Sequence, residues 1–304
     1  MPRAPLSRET LGLLLGFLGV CIFAGTLPFT RIAVEALSPG FIAAGRAALA
    51  GVLAGTTLLV LRRAWPGRAD LLKFALGGLC LVGGFPLFTA LAMQSVPAGH
   101  GGVVLGILPL ATALISALIA GERPSAAFWI AAVIGAGLVV GFTLHEGGGG
   151  FEPGDLYLLA AVLSSSLGYV VSAQLAQRGY AGWEVISWIL VVSLPLTVPV
   201  SLWLLPPDPA AVPAWSWIGF AYVTLLSQYL GFFAWNAGLA IGGIARVSQV
   251  QLLQTFVTLV FAAFLNGERI DALTWLVAVG VVGVVVAARY AAIRRVARPV
   301  AKQG

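Results

Sequence analysis

Gly121-Glu122-Arg123, followed by Trp129, reappears as Gly267-Glu268-Arg269, followed by Trp275, at a constant shift of 146 positions. The same shift pairs Phe74-Ala75 with Phe220-Ala221, Val104 with Val250, Thr112 with Thr258 and Ala117 with Ala263. Further on it pairs Ala132-Val133 with Ala278-Val279, Gly137 with Gly283 and Val139-Val140 with Val285-Val286. Matches among small apolar residues are cheap in so hydrophobic a chain. A charged triplet and a tryptophan held in register are not, and they mark two copies of one unit. A repeat of this length has to be read before the fold.

Composition bounds the class. Of 304 residues, 60% are apolar and 9% charged, against about 25% charged in a soluble domain. Apolar runs of 18 or more residues recur, as in helices that cross a bilayer. The net charge of +6 comes from basic residues between those runs, so it reflects the flanks of membrane spans and not a nucleic-acid partner. Cys21 and Cys80 lie within apolar runs, where packing explains them better than a metal site or a disulfide.

Ten spans are expected, at roughly 10–30, 39–61, 71–93, 98–120, 126–144, 155–176, 183–204, 214–238, 243–266 and 271–292. Arg3 and Arg8 resemble the basic start of a signal peptide. The first apolar run is long for one, however, and the repeat needs a helix there. The break from His145 to Pro153 is polar and glycine-rich. It divides the chain into a first five-helix repeat (1–146), a linker (147–153) and a second repeat with a basic tail (154–304). The expected fold is an all-α membrane protein with ten transmembrane helices in two inverted five-helix repeats.

Basic residues set the expected topology. Loops on the side of both termini hold Arg62, Arg63, Arg68, Lys73, Arg123, Arg178 and Arg246, and the termini add seven more; the other side holds only Arg31 and Arg269. The positive-inside rule places both termini in the cytoplasm. Because five is odd, the second copy enters from the opposite side, an arrangement found in secondary transporters with a substrate site near the midplane.

Ten short, glycine-rich spans in two copies, each with Gly-Glu-Arg ending its fourth helix, resemble the bacterial drug/metabolite transporter superfamily, and within it exporters with paired EamA-type domains. The resemblance covers nearly the whole chain. It implies an inner-membrane transporter, similar to the aromatic amino-acid exporter branch, without enzymatic activity or a cofactor. The implied partners are a small-molecule substrate and the lipid bilayer, with no nucleic acid, for a monomer or weak homodimer.

Polar residues within spans point to the pathway. In span six Ser165, Tyr169 and Ser172 share a helical face. Span eight repeats the spacing with Gln228, Phe232 and Trp235, flanked by Tyr229 and Asn236. Span nine presents Ser248, Gln251, Thr255 and Thr258, with Gln249 and Gln254 nearby. Small hydroxyl residues in membrane helices often serve packing, but buried amides without partners are expensive, so this face is expected to line a wet cavity. The expected substrate-binding set is Ser165, Tyr169, Gln228, Trp235, Ser248, Gln251 and Thr255. The expected gate or supporting residues are Thr26, Arg46, Phe85, His100, Tyr229, Asn236 and Gln254. Spans one, three, four, six, eight and nine surround the cavity in this reading, while spans five and ten pack or dimerise.

Several residues carry two readings. Arg46, within span two, either bonds to backbone carbonyls or snorkels, or meets a substrate carboxylate or serves as a gate. The Glu-Arg pairs either cap their own helical hairpins or act as gating charges. His100 reads as an interfacial residue more readily than as a proton relay. Pro28, Pro86 and Pro109 can kink their helices. No Asp or Glu falls in the central third of any expected span, which disfavours a carboxylate proton relay.

The best reading is an exporter of amino acids, aromatic ones included, or similar metabolites, working by alternating access. A nucleotide-sugar or phosphorylated-metabolite exchanger would need several intramembrane cations, and only Arg46 qualifies. A channel-like pore or a non-transport membrane protein is the alternative from another class.

Overall fold

The structure, a computed structural model, describes residues 8–120, 125–146, 152–242 and 248–296, and every regular element among them is helical. The first copy contains Arg8–Val34, Pro39–Val60, Arg68–Ala92, Ala98–Ile119 and Ala126–Glu146. The second contains Pro153–Gln177, Gly182–Trp203, 214–242, 248–266 and Ala272–Val296. These ten helices are spans one to ten. Eight are long and apolar enough to cross a membrane; the last two contain shorter apolar helices, Val250–Asn266 and Ala272–Ala287. Large apolar side chains such as Phe264 (84% exposed) and Trp203 (82%) face outward, as expected where lipid replaces water.

Span one runs past its expected end near residue 30, so Arg31 sits in its last helical turn. The stop comes at Ser38-Pro39. Proline holds the residue before it out of helical geometry, and Ser38 is extended, its hydroxyl capping span two by accepting from the Phe41 amide at 3.2 Å. Span nine ends at Gly267, which adopts φ +66, the left-handed cap that glycine tolerates best.

The duplication is visible in the main chain. Span three carries π-helical turns over Gly78–Gly84 and span eight over Tyr222–Leu230; a shift of 146 lays the first stretch inside the second. The α-helix Leu108–Ala120 of span four likewise falls on Gln254–Asn266 of span nine. Each of the three prolines expected to kink a helix lies beside an interruption. Pro28 follows the break at Gly25, Pro86 follows the π-helical stretch, and Pro109 follows the break at residues 106–107.

Packing obeys the same symmetry. Span one crosses span eight and, in the exchanged arrangement, span six crosses span three; spans two and seven, four and nine, and five and ten pair with each other. The crossing of spans one and eight depends on glycine. A Cβ on Gly12 would lie 2.3 Å from the Gly242 Cα, and one on Gly238 would lie 2.6 Å from the Gly16 nitrogen. Small residues allow membrane helices to approach this closely. A repeated threonine joins the copies. Thr112 of span four donates to Ser166 of span six at 3.3 Å, and Thr258 of span nine donates to the Ala24 carbonyl of span one at 3.1 Å. Pro28 has no N–H to offer that carbonyl, so Thr258 supplies the missing donor.

Loop contacts sort into two ends. At one end Arg31, Glu268, His100 and Asp155 gather from the starts or ends of spans one, nine, four and six. At the other, Arg178 pairs with Asp70, and Arg63 with Glu184 at 2.9 Å. Successive spans therefore run in opposite senses, and the two copies are inverted. Cysteines placed at Arg178 and Arg269, with Cys21 and Cys80 changed to alanine, should react with an impermeant thiol reagent from opposite faces of the bilayer. Thr258→Val should cost roughly 0.6 to 1.7 kcal/mol in denaturant-induced unfolding, by leaving the Ala24 carbonyl without that donor.

Candidate functional site

Where the two copies meet, about midway along spans three, six and eight, side chains enclose a cavity of about 100 Å³. That is room for several water molecules, and the walls must part further for a metabolite to pass. The first copy contributes Thr26, Arg46, Phe85 and Pro109, and the second Ser165, Tyr169, Gln228 and Gln251. No Asp or Glu occurs among the described lining residues. The helix interruptions lie against this space. The π-helical turns of span eight present Ser227 and Gln228 to it, and the break in span four presents Gly106. Interrupted helices turn side chains and backbone groups off the regular helical faces.

Arg46 is the most fully buried large side chain in the wall, with 2% exposure. Its Nη2 donates to the Ser227 hydroxyl at 3.4 Å, while Nε and Nη1 have no protein hydrogen-bond partner. Ser227 is itself 2.8 Å from the Thr26 hydroxyl. This contact chain links spans two, eight and one, and brings span two into a cavity expected from six other spans. Span seven adds Ile186 and span ten adds Val282; span five instead packs against span ten.

Of the expected substrate-binding residues, the structure brings Ser165, Tyr169, Gln228, Gln251 and Thr255 to the cavity. Trp235 is not in the lining; its backbone packs against Gly19 where spans one and eight cross. The reason is the π-helical stretch before it, which changes the angle per residue, so the i, i+4, i+7 spacing from Gln228 no longer marks one face. The side chain of Ser248 lies outside the described residues. Among the supporting residues, Thr26, Arg46, Phe85 and Gln254 line the cavity. Tyr229 is buried against span seven, its hydroxyl 3.3 Å from that of Ser187, and the Asn236 amide abuts Gly182 at the start of that span.

His100 is buried instead of interfacial, with Nε2 2.6 Å from Asp155 Oδ1. Asp155 also accepts from the Glu152 amide at 3.0 Å, capping span six. The sequence reading missed this pair because its members stand 55 positions apart in different copies. Ser227 was passed over too, although a serine beside Gln228 was the available signal.

The second Glu-Arg pair does not tie its own hairpin together. Glu268 reaches the first copy, accepting from the Ala98 and Gly99 amides at 2.6 and 2.8 Å, so that its carboxylate caps the positive end of span four. Arg31 lies 3.9 Å from it and donates to the carbonyls of Met93 and Val96 at 3.0 and 2.5 Å. Together these bonds tie spans one, four and nine to one another at that end of the bundle. The first pair, Glu122-Arg123, lies outside the described residues.

The pattern of the EamA-like transporter family matches residues 10–144 and 152–289, one copy after the other. This chain belongs to the EamA-like transporter family. It is therefore a multi-pass membrane transporter and not an enzyme. It is 44% identical over 284 residues to the uncharacterized transporter YdeK of Bacillus subtilis, spanning 93% of this chain and 99% of that one. It is also 27% identical over 244 residues to the aromatic amino acid exporter YddG of Ancylobacter novellus, spanning 76% and 80% of the two chains. A solved crystal structure at 21% identity matches 93% of this chain and 99% of its own with a TM-score of 0.62, and shares the fold.

Glu268→Ala should lower stability by about 1–3 kcal/mol, because the Ala98 and Gly99 amides lose a charged acceptor. Unfolding of the purified variant at the wild-type midpoint would show that the carboxylate does not hold this end.

Proposed function

We propose that this EamA-family transporter exports amino acids, including aromatic ones, or similarly sized metabolites across the bacterial inner membrane by alternating access, with both termini in the cytoplasm. The observation that carries the reading is the cavity between the inverted copies, whose wall combines amides, hydroxyls, aromatic rings and one cation. Gln228, Gln251 and Gln254 offer donors and acceptors to an ammonium or carboxylate, while Phe85, Tyr169 and Phe232 offer apolar surface to a side chain. Similarity to a protein named as an aromatic amino acid exporter supports the same class. A nucleotide-sugar or phosphorylated substrate fits less well, since Arg46 is the only cation among the described lining residues.

Alternating access requires the two ends to open in turn. The contacts that must part at one end are the Glu268 cap and the Arg31 bonds; at the other they include Arg178 with Asp70 and Arg63 with Glu184. Such a carrier saturates and supports counterflow of labelled substrate, whereas a pore does neither.

Gln251→Ala should abolish most transport of labelled amino acid into proteoliposomes without loss of folded protein. Transport by the variant at the wild-type rate would remove span nine from the binding wall, and non-saturating flux through the wild type would replace the carrier with a channel.

A further inference from the structure

We infer that Arg46 is the seat for a single carboxylate on the transported molecule, so that the substrate class extends from amino acids to other small monocarboxylates with an apolar body. The inference rests on the reading of the cavity as the substrate site and names the group that selects its cargo.

The first argument is electrostatic. A guanidinium cannot escape its charge by losing a proton under ordinary conditions, and an unpaired charge buried at membrane depth is costly. Ion pairs elsewhere in the described structure use Arg31, Arg63, Arg178 and His100. Among the described residues, no carboxylate lies within ion-pairing distance of Arg46, and none lines its cavity. The fold buries a cation, and the described residues supply it no counterion.

The second argument is geometric. Only Nη2 is engaged, by the Ser227 hydroxyl at 3.4 Å, while the buried Nε and Nη1 make no protein hydrogen bond. A guanidinium presents its N–H groups in planar pairs that match the two oxygens of a carboxylate. The Thr26 hydroxyl, 2.8 Å from Ser227, steadies the one protein contact and ties the seat to both copies. Phe85, Tyr169 and Phe232 stand in the same wall, so a carboxylate at Arg46 can place its apolar body against rings. A lone cation matches one negative charge, which disfavours dicarboxylates and phosphate esters.

The test uses the full chain purified in detergent and matched pairs differing only at the acid: L-phenylalanine and its amide, L-leucine and its amide, 3-phenylpropionate and its amide. Thermal stabilisation of wild-type protein should need about tenfold or more amide than acid, the margin expected from losing a hydrogen-bonded charge. Arg46→Gln should erase that margin, and Arg46→Lys should retain part of it. Equal response of the wild type to acid and amide overturns the seat, whatever becomes of the variants, and so does the absence of any response to the acids. A folded Arg46→Gln that keeps the margin overturns it as well. In proteoliposomes, saturable flux of L-phenylalanine with an unchanged acid-over-amide margin in Arg46→Gln would sink the seat and leave the exporter standing. Saturable flux of the amides with none of the acids would sink both.

Discussion

Hydrocarbon offers no hydrogen-bond partner, so every interruption of a membrane helix must be satisfied from within the protein. In this chain the second copy does that for the first. Tyr222 donates to the Ile22 carbonyl, Thr258 to Ala24, Ser216 to Ile32 and Ser164 to Cys80. Without these donors, the bends of spans one and three would leave main-chain oxygens facing an apolar interior. The bends lie beside the cavity between the copies, so its first-copy wall depends on side chains of the second copy to complete its backbone. Single hydroxyl bonds within membranes average only about 0.6 kcal/mol, which lets them exchange partners as helices shift. The heavier fastenings, carboxylates on amides and arginines, lie at the two ends.

The copies share a backbone plan but divide the chemistry. Both carry π-helical turns in their third span and a break or tightened turn in their fourth. Span one is broken at Gly25, whereas span six is one continuous helix over Pro153–Gln177. The cavity cation comes from span two alone, since span seven contains no lysine or arginine between Gly182 and Trp203. The lining glutamines all come from the second copy. Inversion gives the two faces equivalent scaffolds, and this division leaves the described cavity wall with a charged side and an amide side. In the proposed carrier the seat therefore stays on one side of the cargo while access changes around it.

What the sequence made legible follows from how local each signal is. Ten apolar runs and a charged triplet held in register are one-dimensional facts, and they were enough for the spans, the duplication and the inversion. Ser165, Tyr169, Gln251 and Thr255 reached the cavity wall because spans six and nine keep ordinary α-helical spacing where those residues lie, save that Gln251 sits in the tightened turn just before Gln254. Trp235 left the face assigned to it because nothing in its neighbours announces the π-helical turns upstream. Span one runs a few residues past its expected end because the stop is set by Ser38-Pro39, which the apolar pattern does not mark. The pairing of His100 with Asp155, and the reach of Glu268 to span four, depend on which helices become neighbours. No periodicity within a single copy contains that information.

The charge distribution also bears on the transport cycle. Asp70, Asp155, Glu184 and Glu268 at the two ends are held by arginine, histidine or backbone amides, and no acid stands among the described residues lining the cavity. Among the described lining residues, a single buried guanidinium therefore sets the electrostatics of the cavity. Loaded with a carboxylate as proposed, the cavity contains a neutralised pair with its hydrogen bonds made. Empty, it must either keep water around the guanidinium or bury a bare charge, and burial without a partner is the more expensive arrangement. In the proposed carrier, the loaded form accordingly crosses between its two open forms more readily than the empty one. A carrier built on that proposal runs faster in exchange than in net export, and the difference arises from Arg46 without any proton-binding carboxylate among the described residues of the cavity wall.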